Sequence, residues 1–286
     1  MNYKSPNSIE EATALLAAAN GNARILAGGT DLLVQIRGGF ADPELIIDVK
    51  NIPELRAITS GSDGIQIGAA VSGAELGEHP IVSKVWPGVV EATELIGSTQ
   101  IQGRASLGGN LCNASPAADT VPALVAAGAT CRVAGTKGER TVPVEEITTG
   151  PGSTSLGNDE FVVDFSFPAR PEHSGDAYLR FIPRTEMDIA VVGAGVSLTL
   201  AEDGSCKTAR VSLGAVAPTV VVLEDGANAL IGTKLDEDAL GKLDIAARAA
   251  CNPIDDKRGT VEFRTDVAGV LAKRAALIAK ERAEAN

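Results

Sequence analysis

"ILAGGTDLLVQIRGG", from Ile25 to Gly39, sets an apolar run against two adjacent glycines, then Thr30, Asp31 and a second apolar stretch. A phrase of the same kind, "ASLGGNLCNASPAADT", runs from Ala105 to Thr120. A strand that ends in Gly-Gly exposes backbone N–H groups with no side chain in the way, a concavity that suits an anion. The Thr30 hydroxyl can donate to a phosphate oxygen. In the second phrase Ser106, the glycine pair and the amide of Asn110 offer a similar surface, and Asp119 suits a ribose or ring-nitrogen contact. Asp119 also reads as the cap of a helix over "TVPALVAAGA", and either glycine pair alone also reads as a plain turn. No GxGxxG follows the first strand and no GxxxxGK(S/T) occurs, so a dinucleotide site here is of another design.

Around these phrases the chain reads as alternating elements. Ser8 caps a helix with Glu11 three residues on, as in a capping box, and Ile9, Ala12, Leu15 and Leu16 recur at helical spacing up to a stop at Gly21. "ARILAGGT" is a short buried strand, "TDLLVQIRGG" a short helix, "LIIDV" (45–49) a second strand and "KNIPEL" a turn. Strand and helix follow in "GIQIGAAVSGAEL", helix in "WPGVVEATELIG", and helix, turn and strand in "DTVPALVAAGATCRVAG". "GERTVPVEEI" and "EFVVDFSFPA" read as strands. "PARPEHSGDA" (168–177) is the linker candidate, with a boundary near 172–176. "DIAVVGAGVSLTLAEDGSCKTARVSLGAVAPTVVVL" alternates like an antiparallel meander turning at "EDGS". "DEDALGKLDIAARAA" and "VAGVLAKRAALIAKERAEA" are closing helices.

Composition narrows the function. In 286 residues, 44% are hydrophobic but only 3% aromatic, so the core is built from Ala, Val, Leu and Ile. The net charge of −12 speaks against a nucleic-acid groove or an anionic membrane surface. No apolar run approaches the roughly 18 residues of a membrane span and no signal peptide is seen, which suits a cytoplasmic protein. Cys112, Cys131, Cys206 and Cys251 are far apart with no CxxC, so reduced thiols rather than a metal or iron–sulfur site in this chain are expected. His79 and His173 read as loop residues beside prolines, which leaves no support for a general base.

Three ordered segments, "AGGTDLL" (27–33), "IGSTQIQGRASLGGNLCNASPAADTVPAL" (96–124) and "RTEMDIAVVGAG" (184–195), resemble the FAD-binding medium subunit of molybdenum hydroxylases, the xanthine dehydrogenase and carbon monoxide dehydrogenase type. "DDKRGTVEFRTDVAGVLAKRA" (255–275) resembles that family's closing segment, so the likeness covers nearly the whole chain. The resemblance implies an α+β fold: a PCMH-type FAD-binding domain over 1–173, made of two α/β subdomains (about 1–56 and 57–173), then a C-terminal domain over 174–286 with an antiparallel sheet and flanking helices. It places the FAD pyrophosphate against both glycine phrases. By position the first gives Leu26, Ala27, Gly28, Gly29, Thr30 and Asp31. The second gives Ala105, Ser106, Gly108, Gly109, Asn110, Asn113, Ala114 and Asp119. Ile96 and Ile101 precede it, with Ile96 where some relatives carry an aromatic residue. Val163 matches a position that touches the flavin region, and Arg180 one, often lysine, that approaches the isoalloxazine ring; arginine keeps the charge but changes its reach.

The role so implied is electron transfer. A partner large subunit carries the molybdenum cofactor of molybdopterin type, a small subunit carries two 2Fe-2S clusters, and FAD in this chain passes their electrons to an external acceptor, in an assembly expected to be a dimer of heterotrimers. A stand-alone FAD-dependent oxidoreductase of the same fold would need its own substrate pocket. A non-catalytic α/β binding protein would use the glycine pairs as plain turns.

Overall fold

The computed structural model describes residues 1–286. Its first unit is an all-parallel sheet of β1 (Asn2–Lys4), β2 (Ala23–Leu26) and β3 (Leu45–Asp48) in the order β1-β3-β2, with helices α1 (Ile9–Ala19) and α2 (Leu32–Arg37) on the connections. Ser8 Oγ accepts from the Glu11 N–H, as the spacing predicts, but the Glu11 carboxylate accepts from Asn7 N–H rather than closing on Ser8. The helix stops at Ala19 because Asn20 and Gly21 both take positive φ, 46° and 89°. Two 3-10 turns, Val49–Asn51 and Pro53–Arg56, follow β3.

The second unit is a five-stranded antiparallel sheet in the order β4-β5-β10-β6-β7. Its strands are β4 (Ile58–Gly61), β5 (Gly64–Gly68), β6 (Thr130–Gly135), β7 (Gly138–Pro143) and β10 (Phe161–Pro168), with a small β8 (Thr148–Gly150) and β9 (Ser153–Thr154) hairpin between. Six helices occupy the connection from β5 to β6: α3 (Gly73–Glu78), α4 (Pro80–Val85), α5 (Pro87–Glu94), α6 (Thr99–Gln102), α7 (Leu107–Cys112) and α8 (Thr120–Ala126). Ile67, Leu76, Leu107, Leu111, Leu124 and Phe165 fill its core. Phe161 and Val163 of β10 instead pack with Ala12, Ile47 and Leu55 of the first unit, so β10 joins the two.

The third unit is an antiparallel meander of β11 (Ser174–Phe181), β12 (Val192–Leu200), β13 (Cys206–Gly214) and β14 (Val221–Val222), then α9 (Glu224–Leu230), α10 (Glu237–Ala249) and α11 (Val261–Ala285). The β12–β13 connection turns at Gly204, with φ 78°, within the "EDGS" stretch. Along α11, Ala268, Ala272, Ala275, Ala276, Ala279 and Ala283 are buried at helical spacing and bring the helix close to the sheet.

Of the 168–177 stretch, residues 169–173 form the connection between two sheets and the rest belongs to strands. β10 runs to Pro168 and β11 starts at Ser174, so Asp176 and Ala177 are buried strand residues. Asp176 accepts from Gly88 N–H of α5 at 2.9 Å and pairs with Arg170 at 2.8 Å, and Arg170 lies over the Trp86 ring at 4.7 Å. Arg282 of α11 donates to the Asp176 carbonyl at 2.7 Å and pairs with Glu91. The chemistry of Pro, Gly and charge that marks a loop in sequence serves a buried polar seam between units.

A Cβ at Gly175 would lie 1.9 Å from the Ala279 carbonyl oxygen, so α11 rests on backbone there. Gly175→Ala is expected to cost about 1–3 kcal/mol of unfolding free energy through overpacking, read from urea denaturation; an unchanged midpoint would show that α11 can shift without loss.

Candidate cofactor site

The first phrase leaves β2 at Leu26 and turns through Gly28 and Gly29, the latter at φ 77°, before α2. Lys50 Nζ, paired with Asp48 at 2.6 Å, donates to the Ala27 carbonyl at 2.9 Å and fixes the start of the turn. None of Gly28, Gly29, Thr30 and Asp31 donates its backbone N–H to an acceptor in the chain. Four successive N–H groups without partners need water or a ligand.

The second phrase is not a turn. Ser106 caps α7 by accepting from Gly109 N–H at 3.2 Å, so Gly108 and Gly109 lie in the first turns of a helix. Tertiary contact explains why glycine, a poor helix former, stands there: Gly108 N–H donates to the Ala69 carbonyl at 3.1 Å, and a Cβ on it would sit 2.7 Å from that oxygen. Gly28 is tighter still, because its Cβ would fall 1.8 Å from the Arg104 carbonyl oxygen. Gly109 differs: a Cβ there would meet only Ser106 Oγ, at 3.2 Å.

Between the phrases lies a cavity of about 730 Å³, within the range of small-molecule and cofactor sites. Leu26, Ala27, Gly28, Gly29, Thr30 and Asp31 form one wall. Ala105, Ser106, Gly108, Gly109, Asn110 and Asn113 form the other, and Ile96 borders it. Arg24, Asp31 and Glu160 are its charged lining groups, so an anion here would be held mainly by backbone N–H and hydroxyl groups rather than by a cluster of cations.

The remaining expected positions lie off this cavity. Ile101 packs over Gly97. Ala114, buried at φ 51°, accepts from Gly152 N–H at 2.9 Å. Val163 falls at a register shift of β10 against β6 that directs its side chain into the first unit's core, while Phe161 and Val162 line the cavity in its place. Asp119 does not cap α8 through its side chain; Asn110 Oδ1 accepts from Thr120 N–H at 3.2 Å instead. The Asp119 carboxylate accepts from Tyr178 Oη at 3.0 Å and from Arg180 Nη1 at 2.9 Å, so the buried Arg180 is committed to an ion pair across units.

Gln35, Cys112, Phe161 and Val162 line the cavity without having been singled out by sequence. Val162 could be found only by knowing the β10 irregularity. The run of small residues "GAAVSG" after β5 was the available signal for Ala69 and Ala70, which also border the site.

Comparisons with known proteins agree across the chain. The family described as FAD binding domain in molybdopterin dehydrogenase matches residues 1–170, and the CO dehydrogenase flavoprotein C-terminal domain matches 177–279. The carbon monoxide dehydrogenase medium chain of Hydrogenophaga pseudoflava is 34% identical over 274 residues, 96% of this chain and 94% of that one. The xanthine dehydrogenase FAD-binding subunit of Escherichia coli O157:H7 is 32% identical over 91% of this chain and 89% of its own. In structure, the carbon monoxide dehydrogenase of H. pseudoflava lacking the Mo-pyranopterin moiety superposes with a TM-score of 0.94 at 34% identity, covering 99% of this chain and 98% of that chain. Quinoline 2-oxidoreductase from Pseudomonas putida 86 gives 0.90 at 27% identity, with the same coverage of both.

Burial pushes the Asp119 carboxyl up to about 6, against the pull of Arg180 and the Tyr178 hydroxyl. Its folded pKa exceeds the ordinary value of 3.8, so the group takes up a proton on folding. The stability it contributes is full below that ordinary value and is lost as pH rises through about 6, a change on the order of 3 kcal/mol. Asp119→Asn cannot titrate, so urea unfolding of both proteins between about pH 4 and 7.5 should show wild type losing ground to the variant as pH rises. A constant difference would place the Asp119 titration elsewhere.

Proposed function

The chain belongs to the family of FAD-binding medium subunits of molybdenum hydroxylases of the carbon monoxide and xanthine dehydrogenase type, and we propose that the cavity between its two glycine phrases is the seat of FAD. It is an oxidoreductase subunit that works within a multi-subunit complex whose molybdenum cofactor and iron–sulfur clusters lie on partner chains. The four unpartnered N–H groups from Gly28 to Asp31 carry the site assignment. They supply the donors a pyrophosphate needs, and the cavity volume fits a nucleotide cofactor. Across from them, the Ser106 and Asn110 side chains and Gly109 complete the cradle. Ile96, Phe161 and Val162 give it apolar surface for a ring system.

Bound FAD would supply the two-electron and one-electron redox chemistry that links substrate oxidation on a partner subunit to an external acceptor. The chain's own residues bind and orient the cofactor and exclude water from it. Asp119 and Arg180 lie off the cavity lining, and we assign their pair to fixing the C-terminal unit against the FAD-binding units. We place the division of domains at residue 173, with subdomains meeting near residue 56, a reading supported by the separate sheets on either side. No helix is long and apolar enough to cross a membrane. The acidic composition and four free cysteines favour the cytoplasm, and the assembly we propose is a dimer of heterotrimers. A stand-alone oxidoreductase is disfavoured because the curated relatives of similar length are themselves chains or subunits of larger enzymes.

Purified full-length chain loaded with FAD should show flavin absorption at one FAD per chain. Gly109→Val adds a side chain at the cavity lining whose Cβ meets Ser106 Oγ rather than backbone, so it should weaken FAD binding at least about tenfold with a smaller loss of apo melting temperature than Gly108→Val. Undiminished FAD binding by Gly109→Val would move the cofactor away from the second phrase.

A further inference from the structure

We propose that Gln35 is a cofactor-retaining residue, its hydrogen bond to Asn113 strapping α2 to α7 on the outer side of the cavity. The inference rests on FAD occupying that cavity. The two cavity walls meet at two places of different character. On one side Gly28 lies backbone to backbone against Arg104, a contact that leaves no room for even a methyl group. The other tie is a single side-chain bond: Gln35 Nε2 donates to Asn113 Oδ1 at 2.9 Å, joining positions 78 residues apart. Both residues line the cavity.

The element that Gln35 holds is weakly anchored otherwise. α2 buries none of its six residues, and its Asp31 start makes no side-chain cap. A helix this short does not persist on its own hydrogen bonds. Leu33 and Val34 are 44% and 66% exposed, so its outer face packs on nothing. After it come Gly38, Gly39 at φ 74° and the 87%-exposed Phe40, whose ring lies against Gly38 where a Cβ would be 2.8 Å away. Leu32, Gln35, Phe40 and Ala41 all border the cavity. A segment with little burial and one specific tie is drawn from the low-stability end of the structure. It opens when the Gln35–Asn113 bond breaks, which lets FAD leave, and closes behind the cofactor when the bond forms. The sequence carries no cue to this role, because a glutamine on an exposed helix is ordinary.

The test uses the full-length chain loaded with FAD, with dissociation followed by the rise in free-FAD fluorescence on dilution. Gln35→Ala and Gln35→Met should each release FAD about five- to tenfold faster than wild type. The apo proteins should melt as wild type does, since α2 buries nothing. In an Asn113→Ala background, Gln35→Ala should add no further acceleration. The proposal is overturned by wild-type release rates in the Gln35 variants, by equal acceleration in the Asn113→Ala background, or by a lowered apo melting temperature, which would make Gln35 a fold residue. If wild type itself takes up no FAD, the cavity assignment falls and the strap with it. If wild type binds FAD normally and Gln35→Ala changes nothing, the strap alone falls.

Discussion

The contact on which the site depends is between two stretches of backbone. Gly28 lies so close to the Arg104 carbonyl that only hydrogen fits on its Cα. Beside it, Gly73 N–H donates to the Ala105 carbonyl at 2.8 Å and Gly108 N–H to the Ala69 carbonyl at 3.1 Å. These bonds tie the segment after β5 to the start of α7, and the Gly28 contact brings the end of β2 to the same point. The cavity is the space left beside that point, and its inner edge is set by close-packed backbone. The glycine pairs thus divide their labour. Gly28 and Gly108 permit the approach, Gly29 permits the turn, and Gly109 sits against the capping Ser106 hydroxyl at the cavity lining.

Much of the architecture is legible in the residues. The spacing of Ile9, Ala12 and Leu16 and the Ser8 cap mark α1, and the alternation from Val192 to Gly214 marks the meander. What stays hidden is set by contacts distant in sequence. α7 contains a glycine pair that reads as a turn, and only its packing on Ala69 shows otherwise. The 168–177 stretch reads as a linker, and its end is a strand in which Asp176 is paired and buried. Of the expected site positions, those flanking the glycines converge on one cavity. Val163 faces away from it at a strand irregularity, and Asp119 and Arg180 pair with each other off its lining. Gln35 and Val162 carry no local pattern that distinguishes them from surface and core residues.

The third unit contributes to the site by holding position. Its seam with the second unit contains Arg170 stacked on Trp86, Asp176 joined to α5, Arg282 paired with Glu91 and the Asp119–Tyr178–Arg180 cluster. Buried charge of this kind adds little net stability, because desolvation offsets the attraction, but removing one partner is costly. An electron-transfer subunit needs its cofactor at a fixed distance from partner groups, and a seam of specific charged contacts fixes relative position more narrowly than an adaptable apolar one.

The central claim is that one FAD touches both glycine phrases at once. Amide hydrogen exchange of the full-length chain, with and without saturating FAD, reads this directly. Protection should rise together across residues 28–35 and 105–113, most at Gly28 to Asp31, whose N–H groups have no partner in the chain. Protection confined to one phrase would contradict it.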